Sequence, residues 1–249
     1  MKEDQTFEDY LAQGGRLTNP TNVPARYRAE LMKLMSTFVD SELAAAAGFA
    51  DVINEGPGIK ERIAAAKIVL EKTDNADRVL ALMGEFGANT DRYATHHPWT
   101  ERLDRSAPAA AERNGQDMRL SVMNYPIEGW ADAVTMNCVT GHAVLVQLRD
   151  MARVSYQPLA AAIKSIQPVE QRHVELAEEG LTRLVQNGHR DKIKDSAAYW
   201  RERASAVFGD PNKNRFERLK SWGLRASPAE DMRRAWESSL AGSLERAGL

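Results

Sequence analysis

The sequence predicts an all-α fold: a four-helix bundle with a long crossover connection and accessory C-terminal helices. Three observations carry this expectation. Apolar positions recur at steps of three and four residues over windows too long for strands, β-branched residues are scattered, and proline- and glycine-rich stretches separate the periodic segments.

Residues 1–23 read as an N-terminal arm, 24–188 as the bundle and 189–249 as accessory helices. Pro24 opens the first bundle helix, which lines up Leu31, Met35, Phe38, Glu42, Phe49 and Ile53 on one side and stops at Glu55-Gly56-Pro57-Gly58. The second runs from Ile59 to about Gly87 and carries Ile68, Lys72, Asn75, Val79, Leu82 and Phe86 on one face. Residues 88–126, rich in Asn, Pro, His and Gly, form the connection, with at most a short helix such as Ala109 to Arg113. A crossover of that length suits a ferritin-like bundle. The third helix is expected from about Ile127 to Val154. The fourth runs from Tyr156 to Gln186 and is expected to break or kink around Pro158 and Pro168. Three amphipathic segments follow, near Lys192 to Val207, Asn212 to Trp222 and Pro228 to Ala247. The chain shows no internal repeat, low-complexity tract or glycine-rich phosphate loop.

Composition narrows the partners. With 43% hydrophobic and 27% charged residues among 249, the chain has the balance of a globular protein and enough length for a sizeable core. Its 33 basic and 35 acidic side chains form no block of like charge, which argues against a nucleic-acid footprint or a polybasic membrane patch. The N-terminus lacks the basic flank and apolar run of a signal peptide, and no segment approaches membrane-spanning length, so a cytoplasmic protein is expected. Cys138 is the single cysteine and reads as a buried thiol rather than a reactive or ligating one.

Glu42 lies four residues after Phe38 and seven after Met35. It therefore sits on an apolar helix face, where an unpaired carboxylate would cost several kcal/mol or so. Glu170 and His173, three apart, point the same way, at the Glu-x-x-His spacing by which bundle di-iron sites place two ligands inward. That motif alone is unspecific, since such pairs occur by chance in many helices.

Context comes from Asp40-Ser41-Glu42-Leu43, Asn124-Tyr125-Pro126, Trp130-Ala131-Asp132, Ser155-Tyr156-x-Pro158 and Glu170-x-x-His173. In the tail, Phe208-Gly209-x-Pro211, Gly223-Leu224 and Met232-Arg233-x-Ala235-Trp236 continue the pattern. Together they resemble, over nearly the whole chain and without gaps, the phenylacetic acid catabolic protein family. These are the ferritin-like subunits of the monooxygenase that epoxidises the ring of phenylacetyl-CoA. The resemblance is closer to the catalytic-type subunit than to its structural sister. It implies metal ligands at Glu42, Glu170 and His173, but the remaining ligand positions fall on Lys72, Asn75 and Gly141. A lysine ammonium has no lone pair and glycine has no side chain, so a normal di-iron centre is not expected and no cofactor is anticipated.

Lys72 suggests a replacement, an ammonium that compensates Glu42 and Glu170 while Asn75 and His173 complete the hydrogen bonds. The plainer alternative is that Lys72 snorkels to the surface and leaves Glu42 protonated or bound to backbone. A relocated metal site would have to draw on Glu71, Asp74, Asp77, His142 or Cys138. Of these, the three acids read as a solvated helix face and His142 as a core or interface histidine. His96 and His97, in the connection, could bind metal as a loop pair, but the more ordinary reading is surface contact or a partner's docking site.

The expected function is a structural or partner-binding subunit of a CoA-thioester or related aromatic oxygenase system, working as a homodimer or with a ferritin-like sister subunit. One rival is a metal-dependent oxygenase that holds iron or manganese on Glu42, Glu170 and His173 alone. Another is a small-molecule site, with a CoA thioester as one ligand, in bundle space opened by Gly141.

Overall fold

The computed structural model describes residues 2–95, 98–109, 111–209 and 213–249. Its helices are α1 (Lys2–Ala12), α2 (Ala25–Val52), α3 (Ile59–Glu85), α4 (Arg92–Thr95), α5 (Trp130–Met151), α6 (Gln157–Gln186), α7 (Arg190–Ala204), α8 (Lys213–Ser221) and α9 (Ala229–Arg246). Among the described residues extended pairing is limited to an isolated bridge between Leu17 and Tyr156. The fold is an all-α, ferritin-like bundle of α2, α3, α5 and α6, with the connection between α3 and α5 and the accessory helices after α6.

α2 packs on α3 and α5 on α6, and contacts from α3 to α6 and from α2 to α5 close the bundle. α5 is buried almost all round, and the accessory helices explain why: α7 and α9 pack against the side that α6 leaves uncovered. Trp236 of α9 donates its indole N–H to the Val139 carbonyl at 3.0 Å. Asp132, in the first turn of α5, ties the connection and α7 together. It accepts from Arg105 at 2.7 and 2.9 Å, from Ser196 at 2.5 Å and from the Trp200 indole at 2.8 Å.

Two local expectations are corrected, a break in the fourth helix and a short helix at 109–113, and the N-terminal arm gains detail. The N-terminal arm begins as a helix, with Phe7 buried edge-to-face on Tyr27 at 5.4 Å between ring centroids and Glu8 accepting from the Trp222 indole. Its acidic sequence hides this, because the anchorage comes from tertiary contacts rather than from an apolar stripe. α6 is continuous. Pro158 occupies its first turn, where the missing N–H costs nothing, and Pro168 is accommodated within the helix. The described part of 109–113 is turn and coil, with a single turn closed by Ala111 N–H on the Pro108 carbonyl at 2.9 Å.

The apolar core is two clusters. One contains Phe49, Ile68, Val139 and Leu181, the other Leu31, Met35, Val79 and Ile163. On every bundle helix the sequence passes from one cluster to the other, and on α2, α3 and α6 Glu42, Lys72, Asn75, Glu170 and His173 fall at the passage. The bundle is therefore divided across its middle by a buried polar layer.

Candidate functional site

The layer is built by helix register. Glu42 comes from α2, Lys72 and Asn75 from α3, and Glu170 and His173, three apart on one face, from α6. All five are buried. The Lys72 ammonium lies 3.0 Å from Glu170 Oε2, 3.1 Å from Glu170 Oε1 and 3.3 Å from Glu42 Oε1. The Asn75 amide donates to Glu170 Oε1 at 3.0 Å and to Glu42 Oε2 at 3.4 Å. Lys72 is 5% exposed, so its ammonium does not reach the surface.

His173 makes a contact that the sequence did not suggest. Its Nε2 donates to Glu71 Oε2 at 2.8 Å, while Nδ1 faces Glu170 Oε1 at 3.2 Å without hydrogen-bond geometry. Asn137 on α5 donates to the His173 carbonyl at 3.1 Å and steadies this turn of α6. The charged neighbours of Glu71 suggest a solvated face, but the residue is half-buried and reaches inward as well as pairing with Lys67 at 3.5 Å. One residue before Lys72, it sits at the edge of the inward face, and a carboxylate there can serve either side. Asp74 and Asp77 are exposed as expected, with Asp74 held by Arg78 at 2.7 Å.

The charges of the layer follow from burial and proximity. Burial alone would lift Glu170, but the Lys72 ammonium overrides it and holds the carboxyl well below the usual carboxylate range. Burial would lower Lys72, but Glu170 and Glu42 together keep it protonated, above its ordinary value. Glu42 goes the other way: burial first, then repulsion from Glu170, push it up to about 8 despite Lys72. The Lys72 ammonium is thus paired chiefly with the Glu170 carboxylate, while Glu42 is biased toward its protonated form.

Gly141 is buried on α5, but its missing side chain leaves no open space. A Cβ there would meet Val174 Cγ2 at 2.7 Å, so Val174 of α6 has filled the gap. Space lies instead on the other side of Glu42. A cavity of about 240 Å³ between α2, α5 and the C-terminal tail is lined by Phe38, Leu120, Val144, Leu148 and Met151, with Glu42 on its wall and Lys33, Arg215 and Arg225 also lining it.

The other singled-out residues are placed as follows. Cys138 is buried beside Ser243, with Sγ···Oγ at 3.5 Å, and burial pushes its thiol up to about 11, which leaves it protonated and unreactive. His142 is buried with Nε2 3.3 Å from Glu178 Oε1, and burial outweighs that carboxylate to lower its pKa. Among the described residues no group of three or more His, Cys, Asp and Glu is gathered as a metal site. His96 and His97 lie outside the described residues.

Comparison with known proteins gives two findings. The family model described as phenylacetic acid catabolic protein matches residues 5–249. The chain is also similar to the A subunit of the 1,2-phenylacetyl-CoA epoxidase of Escherichia coli (strain K12), at 22% identity over 253 residues that cover 100% of this chain and 77% of the relative.

Proposed function

The chain belongs to the phenylacetic acid catabolic protein family, and on that premise we propose that it is a structural or partner-binding subunit of an aromatic or CoA-thioester oxygenase system, silent at its bundle centre. One observation carries the reading: Lys72 Nζ stands within 3.0–3.3 Å of both carboxylates that would otherwise ligate metal. Iron needs lone pairs directed at it, whereas this position presents N–H donors that already occupy the carboxylate oxygens. The Asn75 amide nitrogen is likewise turned toward the carboxylates as a donor. At Gly141, Val174 stands where a carboxylate would have to enter. These residues do not fit a pair of iron ions, and no reaction step is assigned to them. The named relative is one subunit of an epoxidase, which makes a sister subunit or a second copy of this chain the natural partner.

The test is elemental analysis of the purified protein after anaerobic reconstitution with ferrous iron and with manganese. Less than about a tenth of a metal per chain supports the silent subunit. Stoichiometric metal that disappears in Glu170→Ala or His173→Ala would establish the rival, an oxygenase on Glu42, Glu170 and His173. The cavity beside Glu42 favours a second role, binding the acyl end of a CoA thioester. Phenylacetyl-CoA should then raise the melting temperature of the wild type and leave Val144→Trp, which fills the cavity, unchanged. An equal response from both would remove that role.

A further inference from the structure

The outer face of α3 carries an apolar stripe that the bundle does not use. Ile59, Ile63 and Leu70 are 78%, 61% and 69% exposed, and they are three of the five large apolar side chains exposed among the described residues. With the exposed Ala66 they recur at steps of four, three and four, the spacing of a helix-pairing seam. At 3.6 residues per turn the four fall within an arc of about 60°. That arc lies opposite Ala65, Ile68, Lys72, Asn75 and Val79, which face the bundle.

Charge along the same face is graded. Lys60 and Lys67 flank its N-terminal half, Asp74 flanks the C-terminal half on the same side, and Asp77 continues the stripe. Lys67 is already paired with Glu71 and Asp74 with Arg78 of their own helix, so an incoming Lys60 would share the Asp74 carboxylate with Arg78. Lys60 stands in the first turn, where the helix macrodipole disfavours a cation and a facing carboxylate would be welcome.

We propose that this face is a self-association surface on which a second copy of the chain lays its α3 antiparallel, across a two-fold axis at Ala66. Antiparallel pairing about that point sets Ile63 against Leu70 of the second copy, and Leu70 against Ile63, with the small Ala66 allowing close approach on the axis. It brings Lys60 beside Asp74 of the second copy, twice by symmetry, and sets Asp77 near the N-terminal end of the opposite helix. Parallel pairing would instead set the Lys60 and Asp74 flanks of the two copies on opposite edges of the seam, so that neither lysine would reach a partner Asp74. The graded charge therefore selects the antiparallel partner. The stripe is about 16 Å long, short for a permanent interface, so the dimer is reversible. This inference rests on the proposed function and specifies its partner-binding part. Metal content, measured on the same proteins, tests the bundle centre separately, because none of the residues changed below touches the polar layer.

Sedimentation equilibrium of the full chain over a wide concentration range tests it. The wild type should pass from monomer to dimer, and Leu70→Glu should stay monomeric with an unchanged melting temperature. Lys60→Glu and Asp74→Lys should each weaken the dimer about three- to tenfold, and the double variant should recover the wild-type constant. A wild type that is monomeric throughout, a dimer indifferent to Leu70→Glu, or a double variant no better than the singles would overturn the proposal. So would capture of α3 by a different chain in place of the second copy.

Discussion

Replacing Lys72 by methionine removes the cation of the polar layer while keeping most of the side chain's volume. In the wild type the ammonium meets three carboxylate oxygens within 3.3 Å, and Glu170 is 1% exposed. Without Lys72, the Glu170 carboxylate keeps only the Asn75 amide at 3.0 Å, so it must remain a buried, uncompensated anion or take up a proton. Breaking a buried pair from one side costs about 3–5 kcal/mol, and the new methyl group offsets little of it because its surroundings are polar. Urea unfolding at pH 7 should show that loss, and it should shrink toward pH 4.5 as Glu170 becomes protonated. Lys72→Met combined with Glu170→Gln should recover much of the difference, since the stranded charge is gone. A loss below about 1 kcal/mol, or one that does not change with pH, would refute the reasoning.

Further outcomes follow from the same geometry. Glu42, at about 8 in the fold against 4.5 for the free group, keeps a proton that the unfolded chain releases. Stability should therefore fall as pH rises from about 4.5 to about 8, at up to about 1.4 kcal/mol per pH unit, and Glu42→Gln should flatten that slope in a melting series. Gly141→Ala should cost about 1–3 kcal/mol by forcing Val174 aside, with recovery in Gly141→Ala/Val174→Ala measured by the same unfolding assay. For the same reason, Lys72→Glu with Asn75→His and Gly141→Asp should take up iron only when Val174→Ala is added; equal loading with and without that change would contradict the packing argument. Asp132→Ala should destabilise by about 2–4 kcal/mol in chemical unfolding, because it strands Arg105, Ser196 and the Trp200 indole together.

The helices and the turn between α2 and α3 were legible because they rest on local signals: apolar periodicity, Pro24 ahead of α2, and Gly56-Pro57-Gly58 after it. The polar layer was legible in part. The spacing of Glu170 and His173, and the lysine on an inward face, already placed an ammonium among carboxylates. What the sequence did not reveal depends on distance and on shared burial. Glu71 reads as solvated because its neighbours are charged, yet its carboxylate reaches His173 at 2.8 Å. Gly141 reads as empty space, but a valine from another helix decides whether the space exists. The raised pKa of Glu42 comes from its burial first and then from the carboxylate of Glu170, contributed by a helix more than a hundred residues away in the chain. The helical start of the N-terminal arm rests on a few tertiary contacts, such as Phe7 on Tyr27, and carries little periodicity of its own.

The proposed function rests on a lysine ammonium held between the buried Glu42 and Glu170. Nitrogen-detected NMR of protein labelled at the lysine side chains addresses it most directly, with the Lys72 resonance assigned by its loss in Lys72→Met. The predicted result is a protonated Lys72 Nζ, slow to exchange with solvent, whose signal persists at high pH and is unmoved by excess zinc as a diamagnetic stand-in for ferrous iron. A Lys72 signal that exchanges like the surface lysines, or that shifts stoichiometrically with zinc in step with His173, would contradict it.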